Sequence, residues 1–251
     1  MDLTDEIPEE SNETEKEMSF LDHLEELRWC IIYSLLGLLI GTIISFVFID
    51  FLVDKILLLP ARNAGLKLQN LKPFGQIFLY FEIALIAGLV VSLPNFIYQI
   101  WRFISPALRK NERRYIVWIV FYTTLCFLSG IVFAYYVMLP MSLSFAVQFG
   151  SAAIENNFAV EEYFSIIISV MLAAGIVFEL PMVSFFLSKI GLLTPGLMRK
   201  FRRHAIVVIM IVAAVLTPGT DPVSQIILAI PLVLLYEISI FVSKISQRKI
   251  V

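Results

Sequence analysis

Two short charged stretches, residues 19–28 and 101–114, carry the side chains best suited to binding chemistry. The first reads SFLDHLEELR and contains Glu25 and Glu26, and the second reads WRFISPALRKNERR, with Glu112 as its single acid among five basic residues. Carboxylates on two separate segments can receive a cationic motif. Guanidinium is the natural partner, because its planar fork of N–H donors bonds a carboxylate at two points. The alternative is that each acid is solvated and only neutralises its basic neighbours, which contributes little.

A second set of acids lies inside apolar segments, where a charge costs about 2.5–3.5 kcal/mol on insertion scales and therefore faces protein or water. Glu179 stands beside Pro181, which frees a backbone carbonyl one turn back. It either contacts a partner helix or substrate, or is protonated or hydrogen-bonded within the bundle for stability. For Glu82 and Glu237 the structural interpretation is favoured. Gln225 is interpreted as a contact to another helix rather than a ligand.

Known catalytic motifs are missing from the sequence. There is no Gly-rich phosphate loop, no His-Glu-x-x-His and no Gly-x-Ser-x-Gly, and His23 and His204 are isolated. Cys30 and Cys126 fall in apolar runs without the spacing of a disulfide or metal site. We therefore expect neither an enzyme nor a protein that holds a cofactor or metal.

Composition indicates what positions these residues. Of the 251 residues, 59% are hydrophobic and 16% charged, and the mean hydropathy is +0.86. Soluble domains are about 45–50% apolar and about 25% charged, so this chain is an integral membrane protein. The net charge of −2 gives no reason to expect a nucleic-acid partner.

Six apolar segments follow an acidic tail at residues 1–17, which we expect to be disordered. The membrane domain is predicted to cover residues 18–251, and residues 19–28 to form a short amphipathic helix along the membrane surface. The predicted spans are 30–49, 77–100, 115–139, 163–187, 205–216 and 223–242. A spanning helix needs about 20 apolar residues, so the 12-residue fifth segment is short and is expected to thin the bilayer locally.

The distribution of Lys and Arg predicts the orientation. If all six segments cross and the N-terminus is cytoplasmic, 15 basic residues lie inside and 4 outside. The positive-inside rule therefore favours six spans with both termini in the cytoplasm.

Five motifs, in order along the chain, resemble the TatC family, the multispanning subunit of the twin-arginine protein translocase. They are SFLDHLEELR at 19–28, YQIWRFISPALRKNERR at 98–114, FELP at 178–181, TPG…DPVSQ at 217–225 and LAIPLVLLYEISI at 228–240. The resemblance covers residue 18 to the end. It implies an all-α, concave bundle of six transmembrane helices with a short fifth and sixth helix.

The resemblance also implies roles for particular residues. Glu26 and Glu112 match the two acids that receive the paired arginines of a signal peptide, Phe103 matches an aromatic near them, and Arg28 closes the N-terminal signature. Glu179 matches an intramembrane residue that contacts the small single-span partners, TatA and TatB. In the outer loop before the last span, Asp221 matches the family's acid.

By the same resemblance, the chain is a receptor for twin-arginine signal peptides of folded proteins exported with the proton-motive force. Its partners are these precursors, TatA- and TatB-like subunits in a homo- or hetero-oligomer, and lipids of a prokaryotic inner membrane. The acidic tail and Glu82 depart from the family pattern. The rival interpretation is a secondary transporter of a small solute, with Glu179 or Glu82 as the proton-coupling acid.

Overall fold

The protein is described by a computed structural model, which covers residues 20–104, 116–148, 157–216 and 222–248. Glu112, Asp221 and the tail at 1–17 lie outside these residues. The α-helices are α1 Phe20–Val47, α2 Ile49–Phe51, α3 Leu59–Asn63, α4 Gly75–Ile104, α5 Ile116–Phe133, α6 Leu139–Gln148, α7 Val160–Val177, α8 Leu180–Lys189, α9 Pro195–Lys200, α10 Arg202–Leu216 and α11 Pro222–Arg248. Two π-helical turns, Leu52–Leu57 and Ala134–Met138, and two three-residue strands complete the described part.

Five of the described helical stretches are long and apolar enough to cross a membrane. They are His23–Val47, Gly75–Ile104, Val117–Phe145, Val160–Lys189 and Leu228–Ser246. They coincide with the first four predicted spans and the last, because an uninterrupted apolar run of about 20 residues is sufficient to specify such a helix.

The two C-terminal helices differ from one another. α10 has 15 residues, or about 22 Å at 1.5 Å per residue, so it is as short as its apolar run indicates. Its crossing of the membrane remains a prediction. The expectation of a short sixth helix was wrong, since α11 has 27 residues. The helix continues past its apolar run because Ser243 and Ser246 are buried and hydrogen-bonded to α8.

The expectation of a separate surface helix at 19–28 was also wrong. Phe20–Val47 is one continuous helix of 28 residues. No Gly or Pro occurs before Gly37 in this stretch, so nothing in the sequence ends the helix between the charged signature and the apolar run.

At the other end of α1, residues 50–73 form a structured cap of short helices rather than an open loop. Strand β1, Lys67–Gln69, pairs in parallel with β2, Asn157–Ala159, with Lys67 opposite Asn157. The Tyr163 hydroxyl on α7 donates to the carbonyl of Leu57 at 2.7 Å and accepts from the amide of Ala61 at 3.1 Å. The main core lies next to this cap, where Phe164, Ile167, Leu139 and Leu232 are almost fully buried.

The antiparallel pair of α1 and α4 is the most extensive helix contact in the described part. A Cβ added to Gly88 would lie 2.5 Å from the backbone nitrogen of Thr42, and one added to Gly41 would lie 2.5 Å from the carbonyl oxygen of Gly88. Such small residues let two helix backbones approach closely in lipid, where apolar burial gives no driving force. This contact sets the spacing of the two helices that carry the site.

Candidate functional site

A cavity of about 400 Å³ lies at the end of the α1–α4 pair that contains the start of α1 and the end of α4. It is lined by Glu25, Glu26, Trp29, Cys30, Tyr33, Arg102 and Phe103. The first five residues lie on α1, and the last four of these have the i, i+3, i+4, i+7 spacing that places side chains on the same side of a helix, with Glu25 next to them.

Aromatic rings form much of the cavity wall. On α1, Trp29 stacks on Tyr33 with 5.8 Å between ring centroids, and both side chains are more than two-fifths exposed. Across the cavity, His23 stacks on Phe103 at 4.3 Å with the ring planes 17° apart. The walls are therefore suited to the flat faces of guanidinium or peptide groups as well as to apolar side chains.

Glu26 contributes a carboxylate to the cavity. Its Oε2 atom is covered by protein yet accepts no hydrogen bond among the described residues, although 41% of the side chain is exposed. His23 Nδ1 is 3.8 Å away, within ion-pair distance but too far for a hydrogen bond. Because 41% of the side chain is exposed, an incoming cationic donor can reach Glu26, although Oε2 itself is covered.

The structure brings together Glu26 and Phe103, two of the predicted binding residues. Arg28 lies on α1 but does not line the cavity, and its side chain is exposed. Sequence reasoning missed Trp29, Tyr33 and Arg102. The α1 residues had a detectable signal, because they continue the helical periodicity of Glu26 past Arg28.

Glu179 lies apart from this cavity, in the turn between α7 and α8. Its Oε1 is buried without a hydrogen-bond partner among the described residues. The turn faces α5, where Gly130 is so close to the carbonyl of Ala174 that an added Cβ would lie 2.6 Å from it. The acid therefore sits at a tight helix contact inside the apolar region.

The remaining polar residues in apolar segments are engaged in different ways. Gln225 donates from Nε2 to the carbonyl of Met210 on α10 at 2.9 Å. Glu237 accepts from Arg202 at 2.6 Å, an ion pair that matches the structural interpretation of this acid. Glu82 is exposed on α4 and does not line the cavity. Within the described ranges, no group of three His, Cys, Asp or Glu residues could hold a metal ion.

Membrane-length helices with an acidic and aromatic cavity between the first two of them define a multi-pass helical membrane protein. Comparison with protein families matches residues 22–231 to the family described as Sec-independent protein translocase protein (TatC). The chain belongs to the TatC family. It is therefore a protein-translocase subunit and not an enzyme.

Similar proteins agree over nearly the whole length. The Sec-independent protein translocase protein TatC of Carboxydothermus hydrogenoformans is 34% identical over 94% of this chain and 96% of its own. That of Aquifex aeolicus is 36% identical over 92% and 97%. A crystal structure described as the twin-arginine translocase receptor TatC is 36% identical, with a TM-score of 0.76 over 89% of this chain and 99% of that one.

Proposed function

We propose that this chain is the receptor of a twin-arginine translocase and binds the paired arginines of signal peptides with Glu26 and Glu112. The observation that carries the proposal is the Glu26 carboxylate, whose Oε2 has no hydrogen-bond partner among the described residues, in a cavity walled by Phe103 and Trp29. Glu112 lies outside the described residues, and its role follows from the family motif alone. Arg28, which closes the same motif, is proposed to support the site from the exposed side of α1.

The chemistry explains a preference for arginine over lysine. A guanidinium donates two parallel N–H bonds to one carboxylate and can stack on an aromatic face, whereas an ammonium is a compact point charge. Arg102 already places one positive charge in the cavity. A ligand must therefore form specific bonds to the acids rather than follow the net field, which disfavours unrelated polycations.

Orientation and partners belong to the same proposal. The 15-to-4 distribution of basic residues supports six spans with both termini in the cytoplasm of a prokaryote, and hence a site on the cytoplasmic face of the inner membrane.

Glu179 and Gln225 are proposed to contact TatA- and TatB-like single-span subunits in a larger oligomer. Asp221 is assigned to the outer loop. Membership of a protein-translocase family removes the support for the solute-transporter alternative.

The test measures binding of a labelled twin-arginine peptide and its twin-lysine counterpart to the detergent-solubilised protein by fluorescence anisotropy. We expect Glu26→Ala to weaken binding of the twin-arginine peptide about tenfold to a hundredfold, which is the range for the loss of hydrogen bonds to a charged group. Glu112→Ala is expected to abolish binding while the protein still assembles. Glu162→Ala, an exposed acid at the start of α7, is the matched control. Wild-type affinity in both site variants, or equal affinity for the two peptides, would contradict the proposal.

A further inference from the structure

A chain of side-chain amides, buried at Gln99 and partly exposed at Asn95, lies between α1 and α4 beside the cavity. Asn95 donates from Nδ2 to the carbonyl oxygen of Tyr33 at 3.1 Å, and Gln99 donates from Nε2 to Asn95 Oδ1 at 3.4 Å. Gln99 is only 6% exposed. The antiparallel pairing of Tyr33 with Asn95, and of Gly41 with Gly88, puts Gln99 at the level of Cys30, which lines the cavity.

Hydrogen-bond chemistry fixes the orientation of both amides. The carbonyl of Tyr33 can only accept, so Asn95 must turn its NH₂ group towards α1 and its oxygen towards Gln99. The Gln99 amide must then present its NH₂ group to Asn95, which directs Oε1 away from the chain of bonds. That oxygen is buried and has no hydrogen-bond partner among the described residues.

An unpaired buried acceptor is costly, because it has given up its bonds to water without replacement. The position of Gln99 Oε1 indicates which donor replaces its lost hydrogen bonds to water. Gln99 is one turn before Phe103 on α4, and Cys30 is one turn after Glu26 on α1. The backbone of Gln99 therefore lies about 6 Å farther along the helix pair than that of Glu26, since four residues rise about 1.5 Å each. One guanidinium bridges such a distance, because two of its five N–H donors can bond the carboxylate and leave three for a second acceptor.

We propose that Gln99 is a further ligand-binding residue, whose Oε1 accepts a hydrogen bond from the guanidinium that Glu26 holds. Asn95 acts as a positioning residue, since its bond to the Tyr33 carbonyl keeps the Gln99 oxygen directed at the ligand. The inference rests on the proposed function and deepens it. A lysine ammonium carries its three donors on one nitrogen and spans a shorter distance between two acceptors than a guanidinium does, so Gln99 adds to the preference for arginine.

The test is a double-mutant cycle on the full-length protein in detergent. Gln99→Met removes the acceptor Oε1 at nearly constant side-chain volume. Four peptides serve as probes: the twin-arginine peptide, the two peptides in which one arginine is replaced by lysine, and the twin-lysine peptide. We expect the variant to bind the twin-arginine peptide about tenfold or more weakly. The loss should shrink to about twofold or less for one of the two single-lysine peptides, which identifies the arginine that Gln99 meets.

Two further variants separate a ligand contact from a purely structural role. Gln76→Met changes an exposed glutamine at the opposite end of α4 and should leave every affinity unchanged. Asn95→Ala frees the Gln99 amide to turn and should give a smaller loss with the same dependence on the peptide. Gln99→Ala replaces the methionine variant if that variant does not elute as a single folded species.

The outcomes distinguish the inference from the function on which it rests. An unmodified protein that binds twin-arginine and twin-lysine peptides equally would overturn both. Normal discrimination by the unmodified protein, combined with an unchanged affinity in Gln99→Met, overturns the role of Gln99 alone. An equal loss for all four peptides does so too, because it indicates a general distortion of the helix pair.

Discussion

The close contact between α1 and α4 makes Gly88→Ala a sensitive probe of the site, although Gly88 is far from it. The new Cβ would lie 2.5 Å from the backbone nitrogen of Thr42 and 2.6 Å from its Cα, whereas ordinary contact begins at 3.4 Å. Backbone atoms cannot rotate away as a side chain can, so the helices must separate by roughly 0.9 Å. Overpacking of this kind costs about 1–3 kcal/mol.

The separation should also reach the cavity. Gly88 is 15 residues before Phe103 on α4, and its neighbour Gly41 is 15 residues after Glu26 on α1, about 22 Å along each helix. If the helices move apart as rigid rods, the two walls of the cavity separate by about the same 0.9 Å. A hydrogen bond lengthened by this much is largely lost, so we expect roughly tenfold weaker binding of the twin-arginine peptide.

Thermal unfolding in detergent and peptide anisotropy measure the two effects. Gly196→Ala is the control, because a Cβ there has no neighbour within 4 Å. Combining Gly41→Ala with Gly88→Ala should cost less than the sum of the single changes, since either one already forces the helices apart. A Gly88→Ala protein with unchanged thermal midpoint and affinity would refute the reasoning.

Two further predictions concern stability. Tyr163→Phe removes two of the hydrogen bonds that hold the cap at residues 50–73, where Tyr135 also donates to the Ile56 carbonyl, and should cost about 1–3 kcal/mol. Tyr136→Phe, at a site 71% exposed, should have little effect, and equal midpoints for the two variants would exclude the anchoring role. Arg202→Leu should lower the thermal midpoint more than the double change Arg202→Leu with Glu237→Leu, because Glu237 lies in a stretch apolar enough to cross a membrane, where an unpaired carboxylate is costly. A thermal midpoint that falls further in the double variant than in Arg202→Leu would show that the ion pair contributes nothing to stability.

Sequence alone predicted the parts of this fold that depend on long local patterns. The first four spans and the last follow from apolar length, and Glu26 with Phe103 follows from the family motif. The prediction of a separate surface helix at 19–28 leaves out Trp29 and Tyr33, because it ends the shared helix face at Arg28. Continuing the same periodicity would have found them.

Other features depend on contacts that no local pattern encodes. The bond from Arg202 to Glu237 joins residues 35 apart, and the chain from Tyr33 through Asn95 to Gln99 requires the register of two antiparallel helices. The cap at residues 50–73 likewise depends on Tyr163, more than 100 residues later. Such partners are specified by the packed bundle and not by neighbouring residues.

The serines between α8 and α11 have a consequence for how the protein is made. Ser188 and Ser243 share a hydrogen bond of 2.5 Å, and Ser246 donates to the carbonyl of Phe185 at 3.2 Å. α8 precedes α11 in the chain, so Ser188 cannot form its bond to Ser243 until α11 has been synthesised and packed. A chain that stops before α11 therefore leaves Ser188 without this partner.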